Sequence, residues 1–175
     1  MNIYFSQYCL KEASVMQMKK SVEQSVCAIL LLHMLPRDAV LPGEEISKLI
    51  DASPTYFQKI LRKLVNADLI RSVPGVKGGF QLNKKSEDIS IYEIYLGIEG
   101  RQSLYSSSGT LGHLLQTNDG EDDCIIHDLM KEAEEAWKAV LKQETVASLS
   151  EKLKGEAFQL NIETLQTIIE EKIVV

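Results

Sequence analysis

Apolar and polar positions alternate along this chain with a helical period that changes once. In KKSVEQSVCAILLLHML, residues 19–35, the side chains of Val22, Val26, Ile29, Leu30 and Met34 recur on one side of a helix, and Pro36 stops it. Cys27 lies on the same stripe and is expected in the core. The loop PRDAVLPG carries Val40 and Leu41, which read as a brief extended segment. A second helix, Glu44 to Asp51, turns Ile46, Leu49 and Ile50 inward. Ser53 as N-cap and Pro54 as first helical residue then open a third helix that runs to about Ala67. Its buried stripe is Phe57, Ile60, Leu61 and Leu64.

After Ala67 the pattern becomes that of short strands. Residues 69–73 and 80–82 read as partners, and the run Pro74 to Gly79 between them is built of turn-forming residues. Three helices followed by a two-stranded hairpin is the order of a winged helix-turn-helix. Ser90 caps a further helix, Ile91 to Ile98, which Gly100 ends. Residues 101–123 are rich in Ser, Gly and Asp and read as a mobile loop with room for one short helical turn. Cys124 to Gln143 is a long helix with a broad apolar face of Ile126, Leu129, Met130, Ala133, Ala136, Trp137, Val140 and Leu141. A shorter helix reaches Leu153, and a terminal helix falls within Phe158 to Val175. The expected fold is mainly α with a small β-hairpin. Its parts are an N-terminal extension (1–18), a winged helix-turn-helix (19–100), a sensor-type loop (101–123), dimerisation helices (124–154) and a tail helix (155–175).

Charge sharpens this picture. The chain carries a net charge of −6, yet between Ile46 and Lys85 it holds eight basic residues and two acidic ones. One region is therefore suited to a polyanion while the rest is acidic. No apolar run approaches the roughly 20 residues that a membrane helix needs, and the N-terminus lacks the pattern of a signal peptide. The three widely spaced cysteines form no disulfide framework, so a cytoplasmic protein is expected. No nucleophile, base and orienting group stand at a recognisable spacing, so no enzyme is expected.

The basic stretch is SPTYFQKILRKLVNADLIRSVPGVKGGFQL, residues 53–82. Opposite the apolar stripe, the third helix displays Thr55, Gln58, Lys59, Arg62, Lys63 and Asn66. Hydroxyl and amide groups suit base edges, while Lys and Arg suit phosphates. The first turn, Pro54, Thr55 and Tyr56, offers backbone N–H groups to a phosphate. The wing adds Lys77 beside Gly78 and Gly79, placed to follow the DNA backbone or enter a minor groove. The plainer alternative is a solvated helix face on a winged-helix module that docks proteins and has lost DNA binding.

The run from Ile46 to Leu82, followed by DISIYEIYLGIEG, resembles the IscR/NsrR/CymR-type family of bacterial winged-helix transcriptional regulators, the Rrf-two family. The likeness covers about Lys19 to Leu153. It is carried by Ser53-Pro54-Thr55-Tyr56, by Gly78-Gly79-Phe80 and by Ile89 to Gly100. The resemblance implies a homodimer that reads a palindromic operator in double-stranded DNA through the third helix and wing, acts as a repressor, and pairs through the long helix. Three positions depart from the family pattern: Pro74 replaces an Arg, Lys77 a Gly, and Asp68 the usual Gly after the third helix. Asp tolerates the left-handed conformation expected at that position.

Cluster-binding relatives carry three cysteines in and just before the loop ahead of the long helix. Here residues 101–123 contain none, and Cys124 with His127 preserves only a Cys-x-x-His spacing. One thiolate and one imidazole per chain are too few for an iron–sulphur cluster, so no cofactor or metal is expected. Cys124 and His127 remain candidates for a redox or sensor role, beside the alternative of a free thiol and an interface histidine.

Overall fold

The structure, a computed structural model, describes residues 18–103, 105, 106, 108–115, 125–155 and 157–174. The helices are α1 (Lys20–His33), α2 (Gly43–Leu49), α3 (Pro54–Asn66), α4 (Ile91–Glu99), α5 (Thr110–Leu115), α6 (Ile125–Gln143), α7 (Val146–Leu153) and α8 (Gln159–Glu170). A hairpin of β1 (Ile70–Val73) and β2 (Gly79–Leu82) follows α3, and a 3-10 turn, Ser86–Asp88, precedes α4. The order of elements is that of a winged helix-turn-helix. The sequence pattern shows no sign of the 3-10 turn.

The apolar stripes of α1, α2, α3 and α4 meet in one core. Phe57, Leu61 and Leu64 of α3 are fully buried against Ile29, Ile46 and Ile94. Burying each such side chain contributes about 1.5–3 kcal/mol, so α3 cannot roll about its axis without losing several of them. Helices α2 and α3 end in the same way. Asp51 and Asp68 take the left-handed conformation, with φ 50° and 56°. Behind them Ala52 N–H donates to Ser47 O at 2.9 Å and Leu69 N–H to Leu64 O at 3.1 Å. These are Schellman closures with Asp where glycine is usual, and Asp68 has the conformation expected of it from the sequence.

The hairpin pairs Ile70 with Leu82 and Val73 with Gly79 in antiparallel register. Val40 and Leu41 form the expected extended segment, which is paired on both its own sides and widens the sheet beyond β2. Leu41 bridges Phe80 with backbone bonds of 3.0 and 2.9 Å, and Val40 bridges Val174 with two of 3.0 Å. The end of the chain is thus stitched to the sheet that carries the wing. An added Cβ on Gly79 would lie 2.7 Å from the Leu41 backbone, so this crossing requires glycine. The structure corrects the placement of Cys27, which is exposed on the side of α1 away from the core. The periodicity of α1 marks a single apolar stripe, but α1 is flanked on two sides and Cys27 faces the second.

Because Asp68 occupies a left-handed position, Asp68→Ala should lower stability by about 1 kcal/mol, while Asp68→Gly should hold or raise it. Urea unfolding midpoints of the two variants check this; equal midpoints would remove the backbone argument.

Candidate nucleic-acid interface

Helix α3 presents to solvent the face that its burial pattern leaves over. Pro54, Thr55, Tyr56, Gln58, Lys59, Arg62, Lys63 and Asn66 are all exposed at the residue level. Ser53 is the N-cap residue, but its side chain makes no capping bond, so the expected cap is absent. The first-turn N–H groups it would have satisfied stay available to an external anion. Lys59 and Arg62 have no ion-pair or hydrogen-bond partner among the described residues. Gln58 leans toward the start of α2, where its Nε2 would lie 2.8 Å from a Cβ built on Gly43.

Lys63 differs from its neighbours. Its ammonium donates to the Ile98 carbonyl at 2.6 Å, in the last turn of α4. That bond satisfies a helix-end carbonyl and places a cation where the helix dipole favours one. The phosphate role expected of Lys63 therefore competes with a structural one. The sequence carries no signal of this, because the partner lies 35 residues away.

On the wing, Lys77 is exposed and unpaired among the described residues, and Val76 stands fully in solvent at the tip. Gly78 is half-buried; a Cβ there would lie 2.3 Å from Val73 O, so it shapes the turn. Gly79, grouped by the sequence with the groove-facing wing, is buried under Leu41 and presents no surface to a ligand. Of the other basic residues in this region, Lys48 pairs with Glu44 and Glu45 at 2.9 and 2.8 Å, and Lys84 pairs with Glu93 at 3.3 Å. Arg71 and Lys85 are exposed and form no ion pair among the described residues either, so the cations left over in this region are Lys59, Arg62, Arg71, Lys77 and Lys85.

The second candidate region lies at the start of α6. Cys124 is outside the described residues. His127 is half-buried beside Tyr105, and its Nδ1 is buried without a hydrogen-bond partner among the described residues. Nearby, buried Glu134 accepts from Ser103 Oγ at 2.9 Å and from Lys138 Nζ at 2.7 Å. Hydrogen bonds to Glu134 and then Glu135 hold the Lys138 ammonium far above the usual lysine range. Partial burial, followed by the Glu23 charge, pushes the Cys27 thiol up. Cys27 therefore stays a thiol rather than the reactive thiolate at neutral pH.

The broad apolar face of α6 divides in two. Trp137 and Leu141 pack inward on the core, with Trp137 edge-on to Tyr95 at 4.9 Å. Ile126, Leu129, Ala133, Ala136 and Val140 are all exposed, and Leu129 and Val140 keep 63% and 65% of their surface. Their alternating spacing of three and four residues is that of a helix-pairing seam.

Comparison with known proteins bears on both regions. Residues 18–152 match the model of a family described as Rrf2, iron-dependent transcriptional regulator. The chain is 39% identical over 145 residues to YwgB of Bacillus subtilis, covering 83% of this chain and 90% of that protein. It is 34% identical over 137 residues to YffB of Lactococcus lactis, covering 78% and 88%. Both are named as HTH-type transcriptional regulators. The fold is similar to that of CymR, the global cysteine regulator of B. subtilis, with a TM-score of 0.64 at 20% identity, covering 79% of this chain and 98% of that one. It is also similar to T. potens IscR, with a TM-score of 0.58 at 19% identity, covering 83% and 93%. Among the described residues no three His, Cys, Asp or Glu side chains stand together to hold a metal. The cavity beside His127 is lined by Lys131 and Lys138 together with Glu134 and Glu135, which Lys138 pairs with. With the family model matched from residue 18 to residue 152, the chain belongs to the Rrf2 family, a family of transcriptional regulators and not of enzymes.

Proposed function

We propose that the protein is a sequence-specific DNA-binding repressor that acts as a homodimer on a palindromic operator. The observation that carries this reading is the outer face of α3, where unpaired Lys59 and Arg62 stand beside Thr55 and Gln58 over a fully buried inner stripe. Such a helix enters a major groove with cations at the phosphates and polar side chains at the base edges. Lys77 on the wing reaches the flanking backbone.

The exposed seam of α6 supports the dimer. Two copies of Ile126, Leu129, Ala133, Ala136 and Val140 cover one another across a two-fold axis, as an isologous interface requires. The same axis relates two α3 helices, so the site they read is a palindrome. No iron–sulphur cluster enters this reading, since residues 101–123 contain no cysteine. Cys124 stays the candidate redox residue of the junction, with His127 one helical turn later.

Selection from a random duplex pool should return a site of two-fold symmetry, bound with a steep fall of log K against log salt. Arg62→Ala should lower that slope by about 1 for each phosphate it no longer neutralises. Lys63→Ala should change the slope less and lower the unfolding midpoint instead, because its bond to Ile98 disappears. Binding that is shallow in salt and indifferent to sequence would contradict the reading and favour a protein-docking module.

The dimer is checked separately. Leu129→Glu with Val140→Glu should give monomers by sedimentation at micromolar concentration, with an unchanged circular-dichroism spectrum, since both side chains are mostly exposed in one copy. A monomeric wild-type chain would overturn this part of the reading.

A further inference from the structure

Helix α8 lies beyond the part of the chain that the family model matches, and it closes a cavity. The space, of about 370 Å³, lies between the outer side of α1, the end of α2, the end of α7 and α8. Its walls are mostly apolar: Leu30, Leu31, Leu49, Leu153, Ile162 and Leu165. Binding sites for small molecules start at about 300 Å³ and are apolar with a few placed polar groups. Three polar side chains border it, the exposed Lys20 and Glu23 at its rim and the buried Gln24. Gln24 borders the cavity and is 7% exposed, and its Oε1 is fully buried with no hydrogen-bond partner among the described residues. A buried acceptor left unsatisfied is destabilising, and a donor supplied by a ligand would relieve that cost. The terminal torsion of a glutamine is broad and two-fold, so this oxygen turns toward a bound donor at little cost.

We propose that this cavity binds a small, largely apolar molecule carrying one hydrogen-bond donor, and that its occupancy is transmitted to the wing. The ring or chain of the ligand covers the leucine and isoleucine walls, and its donor meets Gln24 Oε1. The route to the wing is a chain of contacts. After α8, Lys172 pairs with Glu45 of α2 at 3.0 Å, Val174 is bonded to Val40, and the adjacent Leu41 is bonded to Phe80 of β2. On the other wall, Ile50 ends the helix that precedes α3. A ligand that fits one position of α8 better than another biases the sheet and the third helix by the difference in its affinities. The second half of the proposal rests on the DNA-binding reading; the first does not.

Calorimetry with the full chain tests it, using 2-naphthol, which has one O–H donor, and 2-methoxynaphthalene, which has none. One 2-naphthol should bind per chain, about five- to tenfold more tightly than 2-methoxynaphthalene, the worth of one hydrogen bond. Gln24→Leu should bring that ratio to about one. Cys27→Trp should fill the space from its exposed edge and abolish binding; Ile162→Trp does the same from α8 if the first variant fails to fold. No binding to the wild-type chain, binding that survives both Trp variants, or binding that emerges only when residues 1–17 are removed would each overturn the site. Saturating 2-naphthol should also shift the affinity for the selected duplex at least about threefold in the wild-type chain and not in Cys27→Trp. An unshifted affinity overturns the coupling. A chain that binds 2-naphthol and no DNA supports the site and overturns the DNA-binding reading instead.

Discussion

The edge-on contact between Trp137 and Tyr95, at 4.9 Å and 84°, joins the two working parts of this molecule. Tyr95 belongs to α4, and Tyr92 stacks beside it at 6.1 Å with the Lys142 ammonium over its ring at 5.1 Å. Through these rings α6 is held to α4. The opposite side of α4 holds α3: a Cβ added to Gly97 would lie 2.9 Å from Ala67 Cβ, and Lys63 reaches the Ile98 carbonyl. Glu99, in the last turn of α4, also pairs with Lys19 at the head of α1. One helix therefore fixes both the groove-facing helix and the pairing helix. In the proposed dimer, α4 stands between each α3 and the α6 seam, aided by the backbone bridge of Ser90 to Thr145 just after α6.

Electrostatics follows the same division. The chain is acidic overall, with a net charge of −6, and much of its basic charge away from α3 is taken up in local pairs. Lys138 is held by Glu134 and Glu135, Lys152 pairs with Glu144, and Lys154 with Glu151. Exposed pairs of this kind contribute little stability, with a median of about 0–1 kcal/mol. Lys59, Arg62 and Lys77 stand outside these pairs, as do Arg71 and Lys85 of the same basic region. A region of net positive charge on an acidic chain favours approach to a polyanion by that region.

Much of the fold was legible because its determinants are local. The stripe Phe57, Ile60, Leu61 and Leu64, the Pro54 start, the glycine-rich wing and the extended pair Val40 and Leu41 all act over a few residues, and each element stands where the sequence puts it. The failures share a cause as well. Lys63 turning to Ile98, Gly79 buried under Leu41, Cys27 facing α8 and Val174 returning to Val40 are contacts between distant segments, which periodicity cannot register. The α6 face is the instructive case. Its eight apolar positions read as one surface in sequence, and only packing separates Trp137 and Leu141, which hold the body, from Leu129 and Val140, which face outward. The exposure of the α3 candidate residues was legible because a helix buried on one face has no choice about the other.

In the proposed dimer two α3 helices, fixed through α4 to a shared α6 seam, read DNA as a symmetric pair. Hydroxyl-radical footprinting of the selected duplex tests it most directly. The account predicts two protected half-sites related by a dyad, with centres one helical turn apart, about 34–36 Å, or a multiple of it. A single protected patch without a dyad, or uniform cleavage at protein concentrations that saturate binding, would contradict it.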